Sequence, residues 1–196
     1  MPHPFEIINF SIAGLTLQEP MSIVTNWMIA GFCVYAYLKV PWSDFYPSNK
    51  FKLFYLFLGL SSFLGSLGHA FFQYTDIYGK IPSWFFIALA GYQISKGILF
   101  YWKERPSYKV LNIFLIAKTT ILFVLSVTTL KFVFMAVDSI VTYLVFCGFI
   151  CLKLAQFGKR EMKFFVYGVL VVMPSAFVFL LKINIHRYLN RDDLSH

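Results

Sequence analysis

Apolar residues fall in six runs of about twenty, each long enough to cross the roughly 30 Å hydrocarbon core of a bilayer as a helix. Within the runs apolar positions follow one another without alternating, the pattern of spanning helices rather than of barrel strands. The runs cover residues 21–39, 53–74, 82–102, 110–129, 132–152 and 164–181. Short polar stretches separate them: "VPWSDFYPSNK", "TDIYGKI", "KERPSYK", a turn near Lys131, and "KLAQFGKREMK". None is long enough to hold a second domain, so residues 1–196 read as one all-α polytopic transmembrane bundle. The N-terminal "PFEIINFSIAGLTL" is too interrupted to span and lacks the basic start of a secretory signal peptide. It is expected to lie along the membrane surface or to pack on the bundle.

Composition agrees with this pattern. Hydrophobic residues make up 59% of the chain and charged residues only 13%, whereas a soluble domain carries about 25% charged residues. The net charge of +8 does not point to nucleic acid, because the basic residues sit at the ends of the runs, where membrane topology accounts for them. Lys39, Lys50 and Lys52 flank the first connector, Lys103, Arg105 and Lys109 the third, and Lys153, Lys159, Arg160 and Lys163 the fifth. The second and fourth have only Lys80 and Lys131. Odd connectors are therefore expected to face the cytoplasm, with the N-terminus on the non-cytoplasmic side. Six spans return the C-terminal segment to that side as well. Cys147 and Cys151, one helical turn apart, are expected to be packing residues and not a disulfide.

Ionisable residues inside spans are costly and mark function by default. Here they are His69, Lys96, Lys118 and Asp138. The expected topology puts His69, Asp76, Asp138, Glu19 and Asn26 toward the outer end. The C-terminal "IHRYLNRDDLSH", with His186, Asn190, Asp192, Asp193 and His196, joins them there. Histidines and carboxylates in one layer suit zinc, whose bound water becomes a nucleophile near neutral pH. Asp192 and His196, spaced i, i+4, would share one face if that segment is helical. Plainer roles compete with this one. A histidine can simply hydrogen-bond a neighbouring helix, and Asp138 can pair with Lys118. Lys96 can snorkel to the interface, "RDDLSH" can be a solvated tail, and "SSFLGSLG" is a small-residue face for close helix packing.

At these residues the chain resembles the CREST superfamily of alkaline ceramidases, adiponectin/progestin receptors and Per1-like proteins. "SLGHAFFQY", with Ser66 and His69, is similar to the family's second-helix motif, "QEPMSIVTNW" to the start of its first helix, and "NRDDLSH" to its seventh-helix motif. Three positions depart from the pattern. Ser66 stands three residues before His69 instead of four, Asp192 replaces the first histidine of the seventh-helix pair, and Asp76 follows His69 closely. The family has seven helices and this chain six, ending at His196 where the seventh would begin.

The resemblance implies a divergent, metal-dependent membrane hydrolase of a lipid amide or ester. Zinc would be held by His69, Asp192 and His196, with Asp76 as an alternative ligand, and Ser66, Asp76 and Asp138 would serve in catalysis. Membrane lipids would be its partners. The alternative expectation is a non-catalytic integral membrane subunit packed against other subunits of a larger complex. Haem ligation through His69 ranks below both, since no second histidine lies in an expected span.

Overall fold

The computed structural model describes residues 9–12 and 14–180. It opens with an antiparallel hairpin of β1 (Asn9–Ile12) and β2 (Leu15–Gln18). The remainder is helical: α1 (Pro20–Lys39), α2 (Tyr46–Ala70), the single turn α3 (Phe72–Thr75), a 3₁₀ turn (Asp76–Lys80), α4 (Ile81–Phe100) and α5 (Tyr108–Thr129). A continuous helix then runs through α6 (Val133–Val141), a π-helical stretch (Thr142–Ile150) and α7 (Cys151–Gln156), and α8 (Lys163–Leu180) ends the described chain.

Four of these helices are long and apolar enough to cross a membrane: Pro20–Lys39, Tyr46–Ala70, Tyr108–Thr129 and Val133–Gln156. This identifies the chain as an α-helical membrane protein. α4 is not among the four, because Gln93, Ser95 and Lys96 interrupt its apolar sequence. It sits instead inside the bundle, in contact with α2, α5, α6 and the π stretch. Its buried residues, from Trp84 to Leu99, include Ala88, Ala90 and Ile98.

The N-terminal segment differs from expectation in form, since it folds on itself as a hairpin and packs on the bundle. Gln73 Nε2 donates to the Thr16 carbonyl and ties the hairpin to α3. α2 begins earlier than its apolar run, at Tyr46, because Pro47 in its first turn favours a helix start. Lys52 is tolerated in the second turn. Its ammonium donates to the Val40 carbonyl (2.6 Å) and lies over the Tyr37 ring (4.4 Å).

Small residues set the packing of α2. Gly59, Ser61, Ser62, Gly65, Ser66 and Gly68 are buried along it, which lets neighbouring backbones approach closely. Ser61 Oγ donates across to the Ser83 carbonyl of α4 (2.9 Å). At Gly68 a Cβ would stand 2.9 Å from the Gly79 carbonyl oxygen. On the far side of the bundle, Cys147 and Cys151 are free and buried among Phe146, Ile150 and Leu154.

Gly68→Val should therefore force α2 away from the turn before α4 and lower stability by about 1–3 kcal/mol. Gly31→Ala, where a Cβ meets nothing within 4 Å, should leave it unchanged. Thermal unfolding of the two variants in detergent checks the contrast.

Candidate functional site

Three elements converge at the end of the bundle where α2 stops and α4 starts. β2 delivers Glu19 to the residue before α1, in a left-handed conformation (φ 55°, ψ 62°). This turns the side chain over the end of α2. His69 is the penultimate residue of α2 and is buried. Lys80 closes the 3₁₀ turn that leads into α4. Glu19 Oε2 contacts His69 Nδ1, and Lys80 Nζ lies 3.2 Å from the same nitrogen.

A ring nitrogen carries either a proton or a lone pair. With a proton, Nδ1 donates to the Glu19 carboxylate. Without one, it accepts from the Lys80 ammonium. Which contact is a hydrogen bond depends on the tautomer, since the neutral ring can carry its proton on Nδ1 or on Nε2.

Asp76 stands at the same mouth, exposed, with φ 50° and ψ −150°. That backbone region is sparsely populated for any residue but glycine. Glu19, Asp76 and Leu130 are the non-glycine residues with positive φ among the described residues. Two of the three are thus carboxylates at this end of the bundle, Glu19 in contact with His69 and Asp76 seven residues after it, and strain of this kind gathers at functional sites.

Ser66 is fully buried one turn below His69. Its hydroxyl donates to the Phe63 carbonyl (2.6 Å) and accepts from Trp27 Nε1 (2.9 Å), so it braces α1 against α2. Asn26 is likewise turned inward, donating to the Ser22 carbonyl (2.8 Å). Beside Trp27 and Phe63, between α1 and α2, opens an apolar groove of about 320 Å³, lined also by Cys33, Tyr37, Tyr55 and Leu60.

Asp138 belongs to a second, deeper site. It faces Gly91 of α4, where a Cβ would lie 3.6 Å from Oδ2 and 3.3 Å from Thr142 Oγ1. Gly91 is roughly ten residues into α4, about 15 Å along its axis from the mouth. There Lys118 Nζ of α5 donates to Asp138 Oδ1 (2.6 Å), to Thr142 Oγ1 (2.8 Å) and to the Asp138 carbonyl (3.3 Å). Both charged residues are buried. Lys96, toward the other end of α4, donates to Asn112 Oδ1 (2.8 Å).

The residues expected to share one layer thus divide. Glu19, His69, Ser66 and Asp76 lie at or near the mouth, and Asp138 lies apart with Lys118. Asp192 and His196 lie outside the described residues. Zinc in a catalytic site takes three protein donors. Among the described residues no group of three His, Cys, Asp or Glu side chains is close enough to hold a metal. His69 and Glu19 supply two donors, with the Lys80 ammonium against them, and do not make a zinc site by themselves. Sequence reasoning passed over Lys80 as a connector charge. The signal was the shortness of "TDIYGK", which forces the end of α2 and the start of α4 to be neighbours.

Removing one partner of a buried ion pair leaves an uncompensated charge and costs about 3–5 kcal/mol, whereas replacing both with apolar groups is close to neutral. Lys118→Met should therefore destabilise strongly, and Lys118→Met with Asp138→Leu should recover most of the loss. A double-mutant cycle on unfolding in detergent measures this.

Comparison with known proteins gives a family and no activity. No curated protein and no solved structure matches the chain. Residues 21–196 match the Family of unknown function (DUF6962), and with nearly all of its length covered the chain belongs to that family.

Proposed function

We propose that this protein is a membrane hydrolase of lipid amide or ester bonds, with Glu19, His69 and Lys80 as its polar centre. The meeting of a carboxylate, an imidazole and an ammonium at one ring nitrogen carries the reading, in a chain otherwise built for lipid. It joins the glutamate before the first helix and the histidine of the second, the positions on which the resemblance to the ceramidase-like proteins rests. In this reading His69 takes a proton from the attacking water and Glu19 holds the ring in place. Lys80 stabilises the negative charge that develops on the substrate oxygen. The apolar groove beside Trp27 and Phe63 offers an acyl chain a path from the bilayer to the mouth.

α4 and α8 complete six spans in this arrangement, with the Glu19–His69 end on the non-cytoplasmic side. The uneven distribution of lysine and arginine among the connectors supports that orientation. Zinc enters the reading only through Asp192 and His196, which would have to supply the donors that the mouth lacks.

A second reading, a non-catalytic membrane subunit, is favoured by the bonds of Ser66 and Asp138. Ser66 is held by Trp27 and Phe63, and Asp138 by Lys118.

Metal content and turnover separate the two. Where Asp192 and His196 complete a metal site, His69 binds the zinc instead of taking the proton, and the hydrolase reading then expects about one zinc per chain by mass spectrometry, lost in His69→Ala. It also expects hydrolysis of a fluorogenic lipid amide to fall about a hundredfold or more in His69→Ala and in Glu19→Gln. Metal-free protein without hydrolysis of amide or ester lipids would overturn it and leave the subunit reading.

A further inference from the structure

The end of the bundle opposite His69 holds two lysines that the proposed chemistry does not use. Lys50 lies one turn into α2 and Lys96 one turn before the end of α4. Tyr46, one turn before Lys50, stacks on Phe100, one turn after Lys96, with ring centres 5.6 Å apart, so the two lysines occupy facing positions on the antiparallel helices one turn further in. No carboxylate among the described residues lies within ion-pair distance of either. Around them stand only neutral groups. Lys96 donates to Asn112 of α5 (2.8 Å), and Lys50 lies over the Tyr46 ring (5.0 Å). Tyr92 and Tyr108 pack on the same side of the bundle, against the core around Ile98 and Leu115.

Two half-buried cations facing each other without an anion are costly in a low-dielectric setting. A bound anion at this place would remove that cost. Lys50, Lys96, Asn112, Tyr46 and Tyr108 lie within about one turn of a helix end, which is the depth of the phospholipid headgroups. Beside Asn112 and one turn deeper the α5 surface is apolar and open, at Ile113 (66% exposed) and Ile116 (46% exposed), a surface that suits an acyl chain. Aromatic rings of Phe45, Tyr46 and Phe100 pack together alongside, as aromatic side chains do at a membrane interface. The acidic residues of this end, Asp44, Glu104 and Glu161, are outnumbered by the bases of the three connectors there.

We infer that Lys50 and Lys96, with Asn112 and the neighbouring tyrosines, bind the phosphate of an anionic phospholipid at this end of the bundle. The site is separate from the Glu19–His69 mouth and stands whether or not the mouth is catalytic. Phosphate suits it because several oxygens can accept from two ammonium groups, an amide and tyrosine hydroxyls at once.

Native mass spectrometry of the detergent-purified protein, titrated with phosphatidylglycerol or phosphatidylcholine, tests this. The expected result is retention of one phosphatidylglycerol in preference to phosphatidylcholine. Lys50→Gln with Lys96→Gln should weaken retention about 25-fold, roughly fivefold for each lysine. Lys153→Gln with Lys159→Gln, at the same end, should weaken it less than fivefold. If the first pair does not fold, Lys50→Gln alone carries the comparison, with about a fivefold loss expected. Equal losses in the two pairs would show a diffuse basic surface and overturn the site. Equal retention of phosphatidylcholine would overturn the preference for net negative charge. Displacement of the lipid by low millimolar inorganic phosphate would assign the pocket to a free anion instead.

Discussion

The buried faces of α2 toward its two neighbours carry glycine and serine. Gly59, Ser61, Ser62, Gly65, Ser66 and Gly68 let α2 lie close to α4 on one side and α1 on the other. In lipid there is little hydrophobic force between helices, so close van der Waals packing and interhelical hydrogen bonds must hold them. The consequences reach both ends of the bundle. At one end, the approach of α2 to the turn before α4 sets His69 beside Lys80. At the other, it brings Lys50 level with Lys96. Neither pairing is available from sequence separation alone, and both follow from these small side chains.

How much of this is legible in the chain depends on the physical signal. Spanning helices announce themselves through uninterrupted apolar length, and the observed helices follow the apolar runs closely, α2 excepted at its start. The hairpin was hidden because Asn9–Gln18 is short, and its pairing depends on local alternation that the apolar composition obscures. Depth was the harder quantity. Asp138 can be placed in the fifth run from sequence, but not opposite Gly91. That position is set by how α6 leans on α4, which no run length encodes. Its pairing with Lys118 was open in the sequence as one of two roles, because a buried carboxylate in lipid calls for a cation and few are within reach.

The two ends of the molecule treat charge differently. At the mouth, opposite charges meet at one ring, and backbone strain at Glu19 and Asp76 lies at the same end. At the basic end, two lysines take facing positions, one donating to an asparagine carbonyl oxygen and the other lying over a tyrosine ring. Between the two, Lys118 and Asp138 satisfy each other completely enough to remain in the interior. The π-helical stretch begins at Thr142, the residue that shares the Lys118 ammonium. π-helical turns are rare and gather at special positions, and here one starts where the backbone must serve an ion pair.

The turn between α5 and α6 gives that pair a history as well as a place. Leu130 takes a left-handed conformation, and Ser126 donates its hydroxyl to the Lys131 carbonyl, so the two helices reverse within a few residues. A lone lysine or aspartate at the centre of a helix costs about 2.5–3.5 kcal/mol to insert. Because the reversal is so tight, Lys118 and Asp138 ride on the two arms of one helical hairpin. A hairpin this tight can partition as a unit with its two charges joined, which spares either helix the cost of crossing with its charge bare.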